Sequence, residues 1–139
     1  MNLITNRTEA DVFLGNENGR YRYTDLNRVE QAVAELLTLS ARLDIHPKLV
    51  TKTDWGLPGE FSAEAWPTKE QMERYLGNVH ALCDALSLKA NLPETMEHLT
   101  FVGANEIENA LLSAYSRVQG VLSIYQFSGE FYAGEENVL

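Results

Sequence analysis

Seven residues set the strongest constraint on this chain: Met72, Tyr75, Leu76, Val79, Leu82, Cys83 and Leu86 recur at spacings of 3, 1, 3, 3, 1 and 3. Such positions share one face of an α-helix, whose turn takes about 3.6 residues. A helix with one apolar stripe must bury that stripe against another element. Thr68, with Gln71 three residues on, makes a capping box that opens this helix, predicted over residues 69–86.

Two more stretches repeat the period. Leu26, Val29, Val33, Leu36, Leu37 and Leu43 predict a helix over residues 25–43. Thr24 is its expected N-cap, Asp25 suits the positive end of its dipole, and the His46-Pro47 pair closes it. Ala104, Ile107, Leu111, Ala114, Val118, Val121, Leu122 and Tyr125 predict a third helix over residues 101–126, capped by Thr100. Small residues at Gly103, Ala104, Ala110 and Ala114 let another helix approach. Gly120 costs about 1 kcal/mol against alanine inside a helix, which marks a second expected point of tight packing. A short first helix over residues 6–14, capped by Thr5 or Thr8, carries Ala10, Phe13 and Leu14 on one face. Gly15 ends it, and Asn16 to Gly19 is turn chemistry.

The connections differ in character. Residues 48–53 mix β-branched and polar side chains and read as a short strand or extended arm, with a small β element pairing them to residues 127–132 as the weaker alternative. Residues 54–67 form a long irregular connection holding Trp55, Phe61 and Trp66. Aromatics of that size bury most of their area, so this loop is expected to pack across the helices. Residues 127–139 read as an extended acidic tail with Phe131 and Tyr132. The economical solution is all-α: one domain over residues 1–139, a three-helix up-down-up bundle with a short N-terminal helix, a long aromatic loop and an extended C-terminal tail.

Charge narrows the function. The 139 residues carry a net charge of −9. Residues 90–139 hold seven acids against Arg117 alone, net −6. Nucleic-acid binding by bulk charge is therefore not expected, since phosphate contacts need clustered Lys and Arg. Arg20, Arg22 and Arg28 form a small basic group that either faces solvent or meets an acidic partner surface. Cys83 is the single cysteine, which excludes an intramolecular disulfide and a thiolate zinc site and fits a reducing compartment. The first fifteen residues lack the pattern of a signal peptide, and no apolar run approaches the roughly 20 residues of a membrane span.

Catalytic vocabulary is thin. His80, Cys83 and Asp84 lie within one helical turn of each other. Cys83, however, falls on the apolar stripe, where cysteine acts as a small hydrophobe, and one helix face offers no oxyanion site. His46, His80 and His98 belong to no metal motif. Glu106 and Glu108, two apart, point in different directions on a helix. Gly15 to Gly19 lacks the spacing and the Lys-Ser/Thr of a phosphate loop. We therefore expect no enzyme, no cofactor and no metal. Surface binding remains: Trp55, Phe61, Trp66, Phe131 and Tyr132 either close the protein's own core or form an interface.

Several stretches stand together as a pattern: Asn6 to Val12, Tyr23 to Glu30, Thr53-Asp54-Trp55, Pro67-Thr68 with Met72 to Val79, Leu92 to Met96, Leu99-Thr100 with Ala104 to Glu108, and Ser128-Gly129-Glu130 with Ala133-Gly134-Glu135. In this order and spacing they resemble a family of small proteins encoded by phages and prophages of Gram-positive bacteria, usually beside tail genes. The match covers nearly the whole chain and departs in the short stretch between the first helix and Tyr23. The resemblance implies a tail-associated structural or fibre-attachment protein acting through contacts with other tail or baseplate proteins. It is expected in the host cytoplasm during assembly and then in the virion, without nucleic acid or membrane as partner, and a homo-oligomer fits such symmetric settings. An assembly chaperone absent from the mature particle is the alternative, because the acidic last third can mask a basic partner surface. The family supplies no catalytic residues. Within the recurring segments, Arg28 and Arg74 are expected to pair with carboxylates such as Asp25 and Asp54, and Trp55 to anchor the loop.

Overall fold

The computed structural model describes residues 1–56 and 67–136, with side chains as far as Ile124. Among them the elements are all helical: α1 (Glu9–Leu14), a 3-10 turn (Glu17–Gly19), α2 (Tyr23–Ala41), α3 (Lys69–Ala85) and α4 (Phe101–Glu136). The three long helices contact one another pairwise. Their stripes meet in one core. It holds Leu26, Val29, Val33 and Leu36 of α2, Tyr75, Leu76, Val79, Leu82 and Cys83 of α3, and Ile107, Leu111, Ala114 and Val118 of α4. Each large aliphatic side chain so buried contributes about 1.5–3 kcal/mol.

The predicted caps of α1, α3 and α4 form. The Thr68 hydroxyl accepts from Gln71 N–H at 3.1 Å and Gln71 Oε1 accepts from Thr68 N–H at 2.9 Å. Thr100 Oγ1 accepts from Gly103 N–H at 3.1 Å, and Thr8 with Asp11 makes the same reciprocal pair for α1. Helix α2 is different. It starts two residues before the expected residue 25, its N-cap is Arg22 rather than Thr24, and the Asp25 carboxylate accepts the Arg22 N–H at 2.8 Å. An aspartate at the third position thus satisfies the donor left over by a residue with no capping oxygen. The ends are Schellman turns. Residues Gly15, Asp44 and Ser87 take positive φ, and Asn16, Ile45 and Leu88 donate back to the carbonyls of Asp11, Ser40 and Cys83. Helix α2 ends at Ala41 and not at residue 43.

Five further expectations are corrected. Helix α1 covers Glu9–Leu14 and not residues 6–14, because Arg7 is drawn into the body. No strand exists among the described residues. The polar groups of residues 48–53 are taken by side chains instead: the Val50 carbonyl accepts from Arg74 and Asn78, and the Lys52 N–H donates to Glu30. The C-terminal stretch is not an extended tail: α4 runs through Phe131 and Tyr132 to Glu136, since no proline interrupts residues 101–136. Gly120 marks no close contact, for a Cβ built there meets nothing within 4 Å. The close approach comes at Gly103, where Pro93 and Leu99 lie against it, and at buried Ala104, Ala110 and Ala114. Val121, expected on the core face, is exposed.

Candidate functional site

Two fully buried glutamates organise the polar interior. Glu108 sits on α4 between Ile107 and Leu111 and is 0% exposed. Its Oε2 accepts from Arg7 Nη2 at 2.6 Å and from Arg28 Nη2 at 2.9 Å. Its Oε1 accepts from Arg28 Nε at 2.7 Å and from the Ile4 N–H at 3.0 Å. Asp25 closes the cluster, with Oδ1 at 2.5 Å from Arg28 and 3.3 Å from Arg7. Two guanidinium groups thus face two carboxylates. Burial works against the Arg28 charge, but Glu108 and Asp25 hold its guanidinium above its ordinary pKa.

The second glutamate, Glu30 of α2, meets Arg74 of α3 at 2.7 and 3.0 Å. It also accepts the Lys52 N–H at 3.0 Å and the indole N–H of Trp55. Trp55 is buried, its backbone N–H donates to Asn27 Oδ1 at 2.7 Å, and its carbonyl accepts from Asn27 Nδ2 at 2.8 Å. Lys52 Nζ lies 5.1 Å from the Trp55 ring centre. Arg74 therefore pairs with Glu30 and not with Asp54, whose carboxyl the Lys52 ammonium holds below the usual range at 2.7 Å. The expected Arg28–Asp25 pair is present.

Between the clusters, the hydroxyls of Tyr21 and Tyr75 hydrogen-bond to each other. Burial pushes both phenols up, and in Tyr75 the Tyr21 neighbour adds to the shift. The Arg7 guanidinium stacks 5.7 Å from the Tyr21 ring centre. A groove of about 1180 Å³ opens beside this pair, lined by Tyr21, Leu26, Trp55, Met72, Leu76 and Met96 among others.

From Thr8 to Arg20 the chain leaves the body and returns. Helix α1 and the 3-10 turn pack on each other, and the return point at Tyr21 lies beneath Arg7. The apolar face read on α1 points outward: Phe13 is 89% and Leu14 71% exposed. This arm has the form of an Ω-loop, ends together and packed on itself.

The sequence-level candidates are scattered. Trp55 is in the Glu30 cluster. Phe61 and Trp66 lie outside the described residues, and Phe131 and Tyr132 lie on the last turns of α4. His80 and Asp84 are exposed while Cys83 is in the core, where burial and Asp84 push its thiol up. That is the environment of an inert structural cysteine. Arg28 turns inward, so it forms no surface patch with Arg20 and Arg22. Among the described residues no group of three His, Cys, Asp or Glu side chains is placed to hold a metal, and no helix is long and apolar enough to cross a membrane.

Arg7, Glu30 and Asn105 were not singled out in the sequence, and Glu108 was weighed only as a partner for Glu106, though a signal exists. Glu30 continues the row Leu26, Val33, Leu37, and Glu108 the row Ala104, Leu111, Tyr115. An acid at an apolar position of a helix stripe flags a buried ion pair, because an unpaired buried charge is too costly to keep. Comparison with known proteins adds no family to this picture: no family model, no curated protein and no solved structure matches the chain.

Proposed function

We propose that this is a tail-associated structural or fibre-attachment protein of a phage or prophage, acting through protein–protein contacts, with its three long helices arranged up-down-up. The observation that carries the contact reading is the arm at residues 8–20. It places three consecutive large apolar residues in solvent, with Val12 48%, Phe13 89% and Leu14 71% exposed. Exposed apolar side chains grouped on a self-packed loop mark an interaction surface. The charged residues support the same reading. Arg7, Asp25, Arg28, Glu30, Arg74 and Glu108 bond to one another and to backbone groups, which fixes shape and positions the arm. The tail setting comes from the seven ordered segments that resemble the phage family.

Quantitative peptide mass spectrometry on gradient-purified particles from an induced host tests the setting. A fixed ratio to the major tail protein is expected. Abundance in the lysate with absence from particles overturns the virion role in favour of the assembly chaperone, a reading the net charge of −6 over residues 90–139 favours. A Phe13→Ser/Leu14→Ser chain that still enters particles at the wild-type ratio removes the arm from the contact.

A further inference from the structure

The N-terminal residues are held as a bound peptide is held. Asn105 reads both backbone groups of Arg7: its Oδ1 accepts the Arg7 N–H at 3.0 Å and its Nδ2 donates to the Arg7 carbonyl at 3.0 Å. Three residues on, one turn along the same face of α4, Glu108 takes the Ile4 N–H and the Arg7 guanidinium. Asp25 and the Tyr21 ring complete the seat. The Arg7 side chain is 2% exposed, whereas Asn6 and Thr8 on either side are exposed. Met1 and Leu3 pack against the core. The seat thus selects an arginine, an apolar residue four positions before it, and the backbone between them. Planar two-carboxylate recognition of this kind favours Arg over Lys.

We propose that this seat is a binding site for an arginine-bearing segment, filled by the chain's own residues 1–7 and able to take the same residues of a second copy. Every group of the seat comes from residue 21 onward, so nothing in it requires the bound segment to belong to the same chain. The connecting arm, residues 8–20, can span up to about 43 Å when extended, enough to carry the segment to a neighbour. Exchange of identical segments between two copies closes on itself and makes a symmetric dimer without new contacts. The site stands on its geometry and does not depend on the tail reading.

The test uses the full-length Arg7→Ala chain and a synthetic peptide of residues 1–8 with a fluorophore at its C-terminus, followed by anisotropy. Saturable binding is expected. The Arg7→Lys peptide should bind at least tenfold more weakly, and the wild-type chain should take the arginine peptide at least tenfold more weakly than Arg7→Ala, because its own strap competes at a high effective concentration. Equal binding of the two peptides, or none to a folded Arg7→Ala chain, overturns the site. Should Arg7→Ala not fold by circular dichroism, Arg7→Lys takes its place in the same titration. For exchange, heavy- and light-isotope wild-type chains are concentrated together and read by native mass spectrometry. Mixed dimers, lost in the Arg7→Lys chain, are expected; chains that stay monomeric at millimolar concentration overturn the exchange.

Discussion

Glu108 and Glu30 each lie on the apolar stripe of a helix, each receive an arginine from another element, and each accept a backbone N–H from a segment outside the helices. They differ in what they hold. Glu108 holds residues 1–7, through Ile4 and Arg7, and shares two arginines with Asp25. Glu30 holds the start of the connection between α2 and α3, through Lys52 and Trp55, with Arg74 as its charged partner. At Glu30 the ion pair is joined by amide pairing and a ring, since Asn27 takes both backbone groups of Trp55 and Lys52 lies over the indole. The same kinds of contact hold residues 1–7, where Asn105 takes both backbone groups of Arg7 and the Tyr21 ring faces its guanidinium; what is added there is a second arginine and a second carboxylate. The lesson is that one arrangement, a buried acid with an arginine, an amide and a ring, fastens two irregular segments, and that the two differ in depth: the Arg7 side chain is 2% exposed and the Arg74 side chain 25%.

The largest break in this comparison is Glu108→Gln. It leaves Arg7 and Arg28 sharing Asp25, with Arg7 cut off from water, and should cost about 3–5 kcal/mol in urea unfolding. Glu30→Gln should cost less, because Arg74 keeps a quarter of its side chain exposed and can still reach solvent and the Val50 carbonyl. A larger loss for Glu30→Gln than for Glu108→Gln would refute the ordering. Next is Trp55→Phe. It keeps most of the buried ring but deletes the indole donor to Glu30, for an expected loss of about 1–3 kcal/mol. An unchanged midpoint would show that the indole bond is not part of the anchor.

The tyrosine pair joins the two regions and gives a pH prediction. Both folded phenols lie above the ordinary value of 10.0. The unfolded chain therefore loses these protons first as pH rises, and the stability the neutral pair contributes is present below pH 10 and lost above it. The slope should reach about 1.4 kcal/mol per pH unit for each tyrosine. Urea melts at pH 9 and pH 11 check this, and Tyr21→Phe should flatten the fall; an equal fall in that variant assigns it elsewhere. The smallest effect is Phe13→Ser, on the arm the Glu108 cluster holds. A stability change within about 0.5 kcal/mol is expected. A loss above 2 kcal/mol by thermal melting would mean that the arm is packed in solution.

Much of the helical architecture was legible because period and caps are local. Thr68 with Gln71, Thr100 before Phe101, and Gly15 after Leu14 act through groups within a few residues, and the structure keeps each of them. Thr24 misled because Asp25 satisfies the preceding donor from inside the helix. Residues 48–53 misled because extended character and strand pairing are different things: the partners of Val50 and Lys52 turned out to be Arg74, Asn78 and Glu30 from two helices. The end of α4 misled because turn-like residues such as Gly129 and Gly134 weaken a helix without stopping it.

The candidate site divides along the same line. Local order of residues sets where turns of helix begin, which positions share a stripe, and that two of those positions, 30 and 108, are acids. It does not say which of the chain's 11 lysines and arginines will answer them. Arg7 is 101 positions from Glu108, and Arg74 is 44 from Glu30. Pairings at such separations follow from how three helices settle against each other. A buried carboxylate takes whichever guanidinium that packing brings within about 3 Å, since leaving it alone would cost more than the fold can spare.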